Sequence, residues 1–173
     1  MDTLVSYQVA FDVHYYNDFA VVGYVIFENE LSSKPYKIGQ VKCNTIEPYV
    51  SGQFYKRELP CLLKALAEIN ENINLIYIDA NVWLGYKQKG LGKYLFDAIN
   101  KSIPIIGVSK SSFNKQTELI KPVLRGESKN PLFISSIGIE LETACEKIKK
   151  LEGEFRIPRM IKLADSVCRE HYS

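Results

Sequence analysis

No apolar run in this 173-residue chain approaches the roughly 18 residues that a membrane-spanning helix needs, which sets aside an integral helical membrane protein. Cysteine is sparse and scattered. Cys43, Cys61, Cys145 and Cys168 form no C-x-x-C pair, so neither a zinc site nor a disulfide framework is indicated. The opening Met1-Asp2-Thr3 carries no basic cluster of the kind that starts a secretion signal, and a reduced cytoplasmic chain is expected. A phosphate-cradling glycine loop is missing too, since Gly90-Leu91-Gly92 lacks the remaining glycine and follows no strand directly. Neither a repeat nor a low-complexity tract interrupts the chain. With 46% hydrophobic and 24% charged residues it can bury a core, and one α/β domain over residues 1–173, monomeric and without a linker, is expected.

Net charge is only +2, yet it is unevenly spread. Residues 1–50 hold three lysines against six acids, whereas residues 84–126 hold eight basic residues against Asp97 and Glu118. A basic stretch following an acidic one suits a polyanion held near metal-binding carboxylates. A solvated lysine-rich surface would give the same count.

Val5–Tyr15 and Phe19–Phe27 are rich in Val, Tyr, Phe and Ile around the turn residues Tyr16-Asn17-Asp18, which predicts a β-hairpin. A third strand is expected over Tyr36–Asn44. The period then changes: Leu59, Leu62, Leu63 and Leu66 recur at helical spacing, with Pro60 suited to a first turn. Leu75–Ile78 predicts a short buried strand stopping at Asp79. Leu91, Leu95 and Ala98 mark a second helix, and Ile103–Val108 a further strand; this alternation predicts parallel pairing in the later sheet. Asn114–Asn130 is expected as a surface loop and Leu132–Ile134 as a short strand. Ala144, Cys145, Ile148 and Leu151 outline a third helix, and Met160, Ala164, Val167 and His171 a last one, entered through Pro158.

Three acids stand where solvated charges are unusual. Asp12 lies inside the first strand between Phe11 and Val13, Asp79 ends the apolar run Leu75–Ile78, and Glu58 sits at the entrance to the first long helix. A buried carboxylate is costly unless paired or bound to a cation. A cluster of oxygen donors favours Mg²⁺ or Mn²⁺ over zinc, and such ions activate water and neutralise charge on a phosphodiester. Each acid taken singly could equally be a strand-end cap or a surface charge. His14, two residues after Asp12, points to the same strand face, as a ligand, a general base or a packed sheet residue.

The motifs Phe11-Asp12-Val13, Glu47-Pro48-Tyr49-Val50-Ser51-Gly52-Gln53-Phe54, Arg57-Glu58-Leu59-Pro60, Leu75–Asp79, Ile103–Lys110, Asn130–Ser135, Arg156-Ile157-Pro158 and Leu163-Ala164-Asp165 follow one another along nearly the whole chain. In this order they resemble the endonuclease V family. The resemblance implies a ribonuclease H-like fold, with a mixed central sheet flanked by helices, antiparallel strands first and parallel ones later. It implies a Mg²⁺-dependent endonuclease that cuts DNA or RNA at the second phosphodiester 3′ of a deaminated purine, as in DNA repair. By the same resemblance Asp12, Glu58 and Asp79 are the metal-binding carboxylates, completed by Asp165. Lys110 contacts the scissile phosphate or stabilises developing charge. Tyr49 and Gly52 belong to a wedge that fills the gap left by the extruded base. Ala80 and Lys87 fall in the substrate pocket.

The chain departs from the family pattern at that pocket. Asp79-Ala80-Asn81-Val82 stands for Asp-Gly-x-Gly, Gly85-Tyr86-Lys87 for His-Pro-Arg, and Ser135-Ser136-Ile137-Gly138 for Ser-Pro-Gly-His. The chain also starts close to its first strand, so an N-terminal portion common in the family is expected to be missing. A Cβ at the glycine positions crowds an extruded base, so altered base selection is expected. The alternative is a catalytically impaired nucleic-acid-binding or protein-interaction module on the same fold.

Overall fold

The computed structural model describes residues 4–44, 48, 50, 51, 53–111 and 118–170. Strands β1 (Tyr7–Tyr15), β2 (Ala20–Phe27) and β3 (Lys37–Cys43) form an antiparallel meander, followed by helix α1 (Phe54–Glu68) and strand β4 (Ile73–Ile78). A small hairpin, β5 (Trp83–Gly85) with β6 (Gln88–Lys89), leads into α2 (Leu91–Ala98). The chain continues through β7 (Ile105–Ser109), β8 (Lys121–Val123), β9 (Leu132–Ile137), α3 (Leu141–Lys150) and α4 (Arg159–Arg169). Seven strands make one sheet in the order β3-β2-β1-β4-β7-β9-β8. Strands β4 and β7 run parallel to β1 as the alternation predicts, while β9 returns antiparallel to β7 and β8 pairs antiparallel with β9. No helix among the described residues is long and apolar enough to cross a membrane.

The sheet separates two apolar layers. Along β1 the side chains alternate: Val9 and Phe11 join the core under α1 and α2, whereas Ala10 joins the core under α3 and α4. Strand β2 is buried at every position, so it reads as an unbroken apolar run rather than an alternating one. By the same alternation Asp12 falls on the α4 side. Its partner across the ladder is Gly23, and there the lack of a side chain matters. A Cβ at Gly23 would lie 2.6 Å from the Ala164 carbonyl oxygen and 2.6 Å from the Cys168 nitrogen, both α4 backbone. Next in the row, Gln40 donates from Nε2 to the carbonyls of Val167 and Glu170 and so holds the end of α4 against β3. Gly23→Ala is therefore expected to destabilise by about 2–3 kcal/mol through overpacking, lowering the melting temperature by about 5–10 °C. A thermal melt checks this; an unchanged midpoint would mean that α4 does not seat on β2 this way.

Three local expectations need correction. Helix α1 begins at Phe54, so Pro60 lies inside it and not in its first turn. The missing N–H and the crowding of the Lys56 carbonyl cost the helix stability. Contacts of the preceding turn offset this: Tyr55 stacks on Tyr94 with ring centroids 3.8 Å apart, and the Arg57 guanidinium lies 3.8 Å from the Tyr15 ring. Within the expected loop 114–130, Lys121–Val123 pairs with β9. Three residues are too few to show a period, and Pro122 is tolerated because β8 is an edge strand. The strand expected over Ile103–Val108 starts at Ile105, and the one expected over Leu132–Ile134 runs on to Ile137.

The link between α3 and α4 is tied down by a buried arginine. Arg125 donates to the carbonyls of Leu151 (2.5 Å), Gly153 (3.1 Å), Phe155 (2.6 Å) and Arg156 (3.3 Å). Loop carbonyls that would otherwise be left bare are thereby satisfied, and α4 is set at a fixed entry point.

Candidate active site

The parallel pairing of β1 with β4 places Phe11 beside Ile78, so the residues that follow, Asp12 and Asp79, stand level on adjacent strands. Asp79 lies just past the carboxyl end of β4, where α/β sheets gather functional groups. Lys110 stands just past the end of β7, and its Nζ lies 3.6 Å from the Asp79 carboxylate. Its backbone is held by Arg156, which donates to the carbonyls of Lys110 (2.5 Å) and Pro131 (2.8 Å). Helix α4, seated over Gly23, brings Asp165 and Cys168 to Asp12, with one ligand atom of each within 4.8 Å of the others. Glu58 comes from the opposite layer, on the first turns of α1, and is only 8% exposed.

The electrostatics of this group are strained in one direction. Burial, and then the Asp79 charge, push Asp12 up to about 7, against the pull of the Val13 N–H that donates to its Oδ1 at 2.8 Å. Burial pushes Glu58 up to about 8, reinforced by the charges of Asp12 and Asp79 and opposed by the Tyr15 hydroxyl and Arg57. Asp79 is also raised, burial outweighing Lys110. Asp165 goes the other way. Burial raises it, but the Arg169 Nε–H at 2.7 Å and the Arg169 charge hold it below the ordinary range. The Asp12 and Asp165 carboxyl groups have oxygens within 4.8 Å of each other, and the Asp165 charge adds to the upward push on Asp12.

Carboxyl groups crowded to the point of retaining protons form a set that a cation can relieve. The donors are hard oxygens, matched to Mg²⁺ or Mn²⁺ and not to zinc. Cys168 does not change that match. Burial pushes its thiol up to about 12, and it donates to the Asp165 carbonyl at 3.1 Å.

The other expected site residues fall as follows. Ala80 is half-buried, and its carbonyl oxygen is 2.4 Å from where a Cβ on Gly107 would be, so the segment after Asp79 is pressed onto β7. Val82 is fully buried and its N–H donates to Ser135 Oγ at 2.9 Å, which makes this stretch core. Lys87 caps the β5–β6 hairpin with φ of 58° and its ammonium 5.3 Å from the Tyr86 ring. Tyr49, Gly52 and His171 lie outside the described residues. His14 stands edge-on to Tyr16 at 4.7 Å, and the Tyr16 hydroxyl donates to the Arg169 carbonyl at 3.3 Å. Cys168, Arg169 and Arg156 did not emerge from the sequence. The first two lie three and four residues after Asp165, the spacing that shares a helix face, and so become visible only once that face is known.

The family model described as Endonuclease V matches residues 1–166. Endonuclease V of Bacillus thuringiensis subsp. konkukian is 28% identical over 159 residues, covering 79% of this chain and 65% of that protein. The Nocardia farcinica protein of the same name is 30% identical over 141 residues, covering 70% of this chain and 61% of its own length. The chain thus spans somewhat less than two thirds of these curated relatives. Among solved structures, Ciona intestinalis Endonuclease V in complex with a 23mer DNA containing an inosine followed by a ribo-adenosine superposes with a TM-score of 0.81 at 23% identity, covering 95% of this chain and 84% of that one. Endonuclease V from Streptomyces avermitilis gives a TM-score of 0.76 at 25% identity, with 94% and 79% covered.

Proposed function

The chain belongs to the endonuclease V family, and on that footing we propose that it is a metal-dependent endonuclease that hydrolyses phosphodiester bonds in DNA or RNA. The observation that carries this reading is the approach of Asp12 to Asp165, with Asp79 level on the neighbouring strand 3.6 Å from Lys110 and Glu58 near enough to feel the charges of Asp12 and Asp79. Asp12, Glu58 and Asp79 hold Mg²⁺ or Mn²⁺, with Asp165 completing the acidic wall. The bound ion supplies an acidified water and charge neutralisation at the phosphate. Asp79, 3.6 Å from the Lys110 Nζ, orients the lysine. Lys110, with its side chain 47% exposed, presents its ammonium to a phosphate oxygen where charge develops. Asp165 is kept ionised by Arg169, so the acidic wall keeps its charge there.

The family likeness and the inosine-containing DNA bound by the Ciona protein make a deaminated purine the first substrate to try. Ala80 and the buried Val82 stand where the family pattern has glycines, and on that ground discrimination for inosine is reduced here.

The test is cleavage of labelled single- and double-stranded DNA and RNA, with and without inosine, in Mg²⁺, in Mn²⁺ and in chelator. Cutting that requires metal and falls about a hundredfold or more in Asp79→Asn is the expected result. No cutting of any substrate, with binding that persists in chelator, would leave a binding module and end the catalytic reading.

A further inference from the structure

Away from the carboxylates, the outer surface of α2 bounds a hollow of about 580 Å³ lined by Lys89, Lys93, Asp97, Asn100 and Lys101. Three ammonium groups face one carboxylate. Asp97 lies 3.3 Å from Lys89 and 2.5 Å from Lys93, which holds both heads on the same side of the helix. At the end of α2 the chain reverses through two left-handed residues, Asn100 and Lys101, each with φ of 57°, and the Lys101 N–H donates to the Phe96 carbonyl at 2.8 Å. Glycine suits such a turn sterically; a lysine in that place keeps a charge at the rim of the hollow at a conformational cost. The other non-glycine residue with positive φ among the described residues, Lys87, flanks the same helix on the preceding hairpin.

Aromatic faces adjoin these charges. Tyr86 is 80% exposed, and the Lys89 ammonium lies 5.6 Å from the ring of Tyr94, which stacks on Tyr55. Tyr55 precedes Glu58 by three residues on α1, which puts α2, through the Tyr55–Tyr94 stack, on the side of α1 that carries Glu58.

We infer that the outer face of α2 is a track for the backbone of a single strand flanking the cleaved bond, with Lys89, Lys93 and Lys101 meeting phosphates and Tyr86 offering its ring to a base. The inference rests on the nuclease reading for the chemistry of its ligand. Lysines interleaved with an exposed ring match the pairing of charge and stacking by which single strands are held without sequence preference.

The test is the binding of a labelled oligothymidylate, about 30 nucleotides long so that it exceeds the footprint of one single-strand site, in chelator and over a series of salt concentrations. The proteins compared are the natural one, Lys89→Gln/Lys101→Gln and Tyr86→Ala. The double variant is expected to bind about tenfold or more weakly. Its slope of log affinity against log salt should flatten by about 1.4, which is about 0.7 for each phosphate that a lysine no longer neutralises. Tyr86→Ala is expected to weaken binding at least about fivefold with the slope retained, because stacking releases no counterions. Melting temperatures like that of the natural protein show that the exposed substitutions leave the fold intact. A double variant with the natural slope and affinity would overturn the track while leaving cleavage by the natural protein to speak for the nuclease. Slope loss in a protein that cuts nothing would uphold the track and remove the nuclease.

Discussion

Asp12→Asn is expected to abolish metal-stimulated cleavage and, in the same protein, to raise the melting temperature in chelator. The loss follows from removing one of the carboxylates that hold the cation, and should reach about a hundredfold or more. The gain follows from crowding. Burial and the Asp79 charge make an ionised Asp12 unfavourable, while asparagine keeps an oxygen for the Val13 N–H and carries no charge. With Asp12 raised to about 7, removing the charge at about pH 7.5 should return about 1–3 kcal/mol, or about 3–8 °C in melting temperature. Cleavage assays and thermal melts in chelator test both halves. A lower melting temperature in the variant would mark Asp12 as a structural strand residue and not as a ligand held under strain.

The metal-free protein should lose stability as pH rises from about 5 to 8, and saturating Mn²⁺ should flatten that dependence. The sign comes from Glu58 and Asp12, whose folded values of about 8 and about 7 lie above those of the unfolded chain. The folded state therefore holds protons that the unfolded state has already released. Its advantage is complete below the unfolded values and is lost as pH climbs through the folded ones, by a total on the order of a few kcal/mol. A cation replaces those protons, so its binding should release them and tighten roughly tenfold per pH unit for each proton displaced below about pH 7. Calorimetry in two buffers of different ionisation enthalpy reads the release directly. Binding without proton release, or a stability that rises over the same pH range in chelator, would show that the carboxyl groups are not protonated partners in the empty cluster.

Legibility in the sequence followed the locality of each signal. The β1–β2 hairpin, the α2 and α3 periodicities and the Leu75–Ile78 strand are runs of neighbours, and each lies close to where its pattern predicts. Pro60 misled because a proline defines a first turn only when nothing upstream offsets its cost, and the Tyr55–Tyr94 stack is a contact with a different helix. Strand β8 escaped because its three residues acquire strand character only from pairing with β9. Asp12 and Asp79 stood out because an acid inside or ending an apolar run is locally anomalous. Asp165, an ordinary charge on a helix by local criteria, entered only through the family likeness.

The sequence by itself determined the alternation of strands and helices and the family, and it singled out Asp12 and Asp79 as anomalous acids, because these depend on residue type and on spacing over a few positions. The tertiary structure alone decided which acids meet. Asp12 comes within 4.8 Å of Asp165 and Cys168 because Gly23 lets α4 lie directly on β2, and the upward push on Asp12 is a product of its burial beside Asp79. It decided also that Val82 is core and that the α2 lysines share one surface with an exposed tyrosine. Such facts depend on distances between segments far apart in the chain, and no local pattern of residues encodes them.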